Sequence, residues 1–169
     1  MNARKTINGM LSALLVSVSA GFATASRAAE TAYDWNDDSA GTASAQTIIL
    51  KCLDDQEDGD RYQCIPKAIV ICVTQYDNGS QNQMAVNTCN GYSAWAWENI
   101  LDDVYNRLIK SGRAPKDIDK SQSMWSAWSK LDCETISNYD GTRAAMDSAY
   151  CTTKHAAERV FDLLPLVPH

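Results

Sequence analysis

The chain of 169 residues carries 15 basic and 21 acidic side chains, a net charge of −6. That length allows one domain with its own core and no second one. The acidic balance excludes a nucleic-acid binder, which needs clustered Lys and Arg against phosphate, and it favours a basic protein partner.

The first elements are a short basic stretch ending in Arg4-Lys5 and an apolar run from Met10 through Leu14, Leu15, Val16 and Val18 to Phe22. They read as the n-region and h-region of a secretory signal peptide over residues 1–25, with cleavage after Ala25 or Ala28. The run is too short and too rich in Ser, Gly and Ala to span a bilayer, so no membrane span is expected after cleavage. Losing Arg4 and Lys5 and no acid leaves 13 basic against 21 acidic residues, a net charge of −8. Residues 26–45, mostly Ala, Ser, Thr, Asp and Gly, read as a flexible linker, and the folded domain is expected over residues 46–165.

Within that domain the apolar segments 47–53 and 66–73 predict a short N-terminal helical hairpin, although the β-branched run Ile69-Val70-Ile71 also permits a strand. Between them lies an acidic turn with Asp54, Asp55, Glu57, Asp58 and Asp60. Asp54, Asp58 and Gly59 fall at three positions of a calcium-binding loop, but its twelfth position is Ile65 where a bidentate Glu is required, so a solvated turn is the expectation. Asn78-Gly79 marks the next turn. Helical spacing of Trp97, Ile100, Leu101, Val104, Tyr105, Leu108 and Ile109 predicts a helix over 83–110, stopped by Gly112 and Pro115. A second helix over 116–138 is expected to turn Ile118, Trp125, Trp128, Leu131 and Ile136 inward. A third, over 142–164, carries Ala149, Ala156, Val160 and Leu163. The fold class is therefore all-α: a small, disulfide-stapled, antiparallel three-helix core with the hairpin in front of it.

Catalytic chemistry finds little support. His155 and His169 are the only histidines, and His155 reads as a surface or interhelical residue. No nucleophile elbow, metalloprotease helix, phosphate loop or dinucleotide fingerprint occurs. Glu98 and Asp102 form an i, i+4 carboxylate pair, expected as a solvated acidic stripe. The six cysteines, 52, 64, 72, 89, 133 and 151, lack the C-x-x-C spacing of zinc or redox sites, so no metal and no cofactor are expected. An even count in an exported chain reads as three disulfides. Trp95 stands two residues from Trp97 and cannot share its face; it is either packed under the hairpin or exposed as a binding anchor.

The series Cys72-x16-Cys89, Trp97-Glu98-x-x-Leu101-Asp102-x-x-Tyr105, Gln122-x-x-Trp125-x7-Cys133 and Cys151-x7-Arg159-x3-Leu163 resembles the LprI-type lysozyme inhibitor-like family of exported bacterial proteins. The resemblance covers about residues 64 to 164. It departs from the family pattern at Asp102, where Asn is usual, at Ser129-Lys130, where Arg-Asp is usual, and at Ala156, where Thr is usual. It implies a helical, disulfide-bonded domain in the periplasm or outside the cell that engages lysozyme. Cys72, Cys89, Cys133 and Cys151 belong to the family pattern, and Cys52 and Cys64 look like an added pair around the acidic turn. Six cysteines allow fifteen connectivities; the preferred one is 52–64, 72–89 and 133–151. The candidate partner-binding residues are Asp54, Asp55, Glu57, Asp58, Asp60 and Trp95. The alternative function is a structural or envelope-stress protein with no hydrolase partner.

Overall fold

A computed structural model describes residues 33–56, 59–138, 141 and 143–168. The expected signal peptide and the first part of the expected linker, residues 26–32, lie outside them. Five helices make up the body: α1 (Asp38–Asp55), α2 (Lys67–Gln75), α3 (Gln83–Lys110), α4 (Ile118–Ser137) and α5 (Ala144–Leu163). Short 3-10 turns follow at Arg61–Cys64, Tyr76–Gly79 and Leu164–Leu166. Among the described residues there is no strand, and Ile69-Val70-Ile71 lies inside α2. No helix among them is long and apolar enough to cross a membrane.

The linker expectation is corrected over residues 33–45. Asp37 caps α1 by accepting a hydrogen bond from the Ala40 amide at 2.9 Å, so the helix starts eight residues before Gln46. Ahead of the cap, Trp35 is buried, stacks on Tyr92 with ring centroids 6.2 Å apart, and donates from Nε1 to Gln75 Oε1 at 3.0 Å. These contacts fasten the segment to α2 and α3.

Chain reversals follow from local chemistry. After α2, Asp77, Asn78 and Gly79 all take left-handed φ (47°, 55° and 74°), a conformation open to Gly and tolerated by Asn and Asp. Asn82 then caps α3 through the Ala85 amide at 2.8 Å. Three disulfides fasten neighbours: Cys52–Cys64 ties the end of α1 to the first 3-10 turn, Cys72–Cys89 ties α2 to α3, and Cys133–Cys151 ties α4 to α5. This is the preferred connectivity.

The core lies between α1, α3 and α5. Trp97, Leu108 and Ile49 from α3 and α1 meet Ala157, Val160 and Leu163 from α5, and Phe161 packs edge-on against Trp97 at 5.7 Å. Small side chains at Ser93, Ala96, Ala156 and Ala157 are buried along α3 and α5, which lets the two backbones approach closely. Val167, beyond the expected boundary at residue 165, closes the cluster from the C-terminal side. Helix α4 runs antiparallel to α5, as the pairs Gln122–Arg159, Asp132–His155 and Cys133–Cys151 show. It buries only Ser129 and Cys133 fully. The expectation that Trp128 and Leu131 turn inward is therefore corrected: they are 53% and 66% exposed.

Candidate functional site

The acidic segment is less of a free turn than its sequence suggests. Asp54 and Asp55 form the exposed end of α1, while Asp60 caps the following 3-10 turn by accepting from the Tyr62 amide at 3.1 Å. Glu57 and Asp58 lie outside the described residues. Asp54 lines an open groove of about 720 Å³ whose floor includes Ile100, Val104 and Val160 and whose rim carries Arg61, Asp103 and Arg107. The rim is of mixed sign: Arg107 lies 3.8 Å from Asp103, an exposed pair of small energetic weight.

Trp95 is 46% exposed, and its inner edge meets Tyr92 with centroids 6.4 Å apart. It is therefore not covered by the hairpin. Residues 95, 98 and 102 follow one another at three and four positions, so Trp95 shares the outer face of α3 with Glu98 and Asp102. Glu98 is pushed above the usual carboxylate range, first by desolvation and then by the charge of Asp102. Among the described residues neither carboxylate has a cationic partner, so this face joins an exposed indole to uncompensated negative charge. Asp55 and Asp60 stand toward the other end of α3: Asp54, their neighbour, shares its groove with Asp103, eight residues beyond Trp95 and so about 12 Å along the axis. Among the described residues, the structure does not bring Trp95 into contact with the acidic segment.

Three polar residues of the recognised pattern, Tyr105, Gln122 and Arg159, have interhelical work. Tyr105 donates its hydroxyl proton to Asp119, which raises its pKa and ties α3 to the start of α4. Arg159 donates from Nε to Gln122 Oε1 at 2.9 Å and from a terminal nitrogen to Ser121 Oγ at 3.1 Å. Its side chain is almost wholly covered, so Gln122 and Arg159 hold α4 to α5 rather than face a partner.

His155 bonds through Nε2 to Asp132 Oδ2 at 2.8 Å, and its Nδ1 lies 3.9 Å from Glu158. Trp128 packs edge-on over the imidazole at 4.6 Å. A carboxylate thus accompanies the histidine, but the neighbouring sulfurs, Cys133 and Cys151, are joined in a disulfide and supply no nucleophile. Beside this group, Met124, Trp128 and Leu131 form an exposed apolar stripe on α4. Sequence reasoning missed the stripe because it assigned two of these three residues to the core.

The family model described as "Lysozyme inhibitor LprI" matches residues 74–163, from the last turn of α2 to the end of α5. The match leaves out Cys52, Cys64 and Cys72 and the whole of the acidic segment. No curated protein and no solved structure matches the chain.

Proposed function

Since the chain belongs to the LprI lysozyme inhibitor family, we propose that it is an exported binding protein, periplasmic or secreted, which blocks a lysozyme or a similarly cationic cell-wall hydrolase by occlusion. The observation that carries this reading is the match over residues 74–163, more than half of the chain. The outer face of α3 supports it. A cationic hydrolase is drawn by long-range attraction to the acidic surface, and Asp54, Asp55, Glu57, Asp58 and Asp60 add to that field. Close contact then falls to Trp95, because an exposed aromatic ring covered by a partner contributes more binding energy than screened surface charge. Glu98 and Asp102 beside it supply carboxylates for Lys or Arg. Inhibition of this kind needs no catalytic group in the inhibitor, since a standard interface covering about 800 Å² on each partner suffices to shut a substrate cleft.

The test is a set of variants assayed as inhibitors of a lysozyme acting on cell-wall substrate. Trp95→Ala is expected to weaken inhibition at least about tenfold, as loss of an aromatic anchor does. Glu98→Gln with Asp102→Asn is expected to slow association and flatten its salt dependence. Variants that are folded and inhibit like the parent protein would remove α3 from the binding surface. Exchange of Asp54, Asp55, Glu57, Asp58 and Asp60 for Asn or Gln measures the acidic segment separately, with a smaller, salt-sensitive loss expected.

A further inference from the structure

The end of α4 and the middle of α5 gather four donor groups that no pattern in the sequence joins. Cys151 and His155 are one turn apart on α5 and share a face, and Asp132 and Cys133 face them from α4. The sulfurs of Cys133 and Cys151 and a ring nitrogen of His155 lie within 4.8 Å of one another. Asp132 Oδ2 stands 2.8 Å from His155 Nε2 and 3.9 Å from Cys151 Sγ. Two sulfurs, one imidazole and one carboxylate are a ligand set that suits tetrahedral zinc.

We propose that, when the Cys133–Cys151 bridge is reduced, the two thiolates bind a single zinc ion together with His155 Nε2 and the Asp132 carboxylate. The two sulfurs are bonded in the oxidised protein, and the set becomes available only when they part. A dithiol reductant delivers two electrons to the bridge and is itself oxidised to a disulfide, leaving two thiols at 133 and 151. Zinc then displaces two thiol protons to solvent and binds the lone pair of His155 Nε2 in the neutral tautomer that carries its one proton on Nδ1, so two protons leave for each zinc bound. With zinc about 2.3 Å from sulfur and about 2.0 Å from nitrogen, the four groups need shift by little more than the separation of the two sulfurs. The Cα atoms of Cys133 and Cys151 are 5.5 Å apart, so the helices themselves can stay in place.

The surroundings already resemble those of a zinc site. Glu158 lies 3.9 Å from His155 Nδ1, where a carboxylate orients a ligating imidazole. Trp128 covers the ring edge-on, and Cys133 is buried. The other two bridges hold α1, α2 and α3 together, so opening this one leaves those three stapled and α5 held against them by the buried core. The site would make the junction of α4 and α5 a redox-gated sink for zinc: closed by the disulfide under oxidising conditions and filled by metal under reducing ones.

The experiment titrates the full oxidised chain with limiting dithiol under anaerobic conditions, maps the free thiols by alkylation and mass spectrometry, and adds cobalt(II) as a spectroscopic stand-in for zinc. The expected result is one metal per chain with thiolate-to-cobalt charge-transfer absorption, displaced by zinc, and protection of Cys133 and Cys151 from alkylation. His155→Ala and Asp132→Asn are expected to weaken binding, and Cys133→Ser with Cys151→Ser to abolish the charge-transfer band. The proposal is overturned if chains with free thiols at 133 and 151 and intact helical circular dichroism take up no stoichiometric metal, or if His155→Ala binds as tightly as the parent. It is equally overturned if opening the bridge melts the helices and one equivalent of zinc does not restore them.

Discussion

Gly41 sits inside α1, where replacing Gly by Ala ordinarily adds about 1 kcal/mol of stability through helix propensity. Here a Cβ would overlap the ring of Tyr92, and that ring is itself stacked on Trp35, so it cannot withdraw without disturbing the N-terminal segment. Overpacking of this kind costs about 1–3 kcal/mol, which exceeds the propensity gain. Gly41→Ala is accordingly expected to lower the thermal midpoint, measured by circular dichroism; a midpoint equal to or above the parent's would mean that Tyr92 has room to move. Glu98 gives a prediction of opposite sign. Its folded pKa is raised by burial and by Asp102, so between its ordinary value of 4.5 and the raised value the folded state holds more protons than the unfolded one. Stability therefore falls as pH rises through that window. The penalty is complete above the folded pKa and gone below the ordinary one. Glu98→Gln removes it, and the variant is expected to melt at a slightly higher temperature than the parent near pH 7, with the two converging below pH about 4. Partial exposure keeps the gain small. An advantage that persists unchanged into acid would assign the effect to something other than charge.

At the level of the helices, α1 and α4 show where the sequence signal weakens. The extents of α3, α4 and α5 were legible to within about two residues, because apolar spacing, Asn78-Gly79, Gly112, Pro115 and Gly141 bracket them. The first half of α1 was not, because it packs through Gly41, Ser44 and Ala45, small residues that carry almost no hydrophobic contrast. Trp35 and the Asp37 cap were the available cues. In α4 the error runs the other way. Ile118, Gln122, Trp125, Ser129, Cys133 and Ile136 fall on one face, and Trp128 and Leu131 lie about 100° and about 160° round the helix from it. A helix that packs against one main neighbour buries only a narrow strip, and an apolar residue outside that strip is left in solvent. The two tryptophans should therefore differ sharply by denaturant unfolding. Trp97→Ala, wholly buried, is expected to cost about 3–5 kcal/mol. Trp128→Ala loses mainly its contact with His155, about 0.5–1.5 kcal/mol. Equal losses would place α4 in the core after all. Of the candidate site, Trp95 was legible as unable to share the face of Trp97, whereas the donor group at Asp132, Cys133, Cys151 and His155 was not, since its members come from two helices.

For the molecule as a whole, the three bridges close short stretches of chain, 12, 17 and 18 residues apart. Each contributes about 2–4 kcal/mol, and a domain of this size has only about 5–15 kcal/mol in total. Breaking all three is thus expected to unfold the chain, visible as loss of helical circular dichroism on full reduction and alkylation; a fully alkylated chain that kept its helices would show that the core suffices alone. The same dependence supplies the control for function, since the surface proposed on α3 exists only while the helices are packed. The account rests most directly on titration of the oxidised protein into c-type and other lysozymes acting on cell-wall substrate. It predicts that the activity of at least one lysozyme falls to an endpoint near one inhibitor per enzyme, and that the reduced, alkylated sample has no effect. A folded, oxidised protein that leaves every class of lysozyme at its full rate would contradict it.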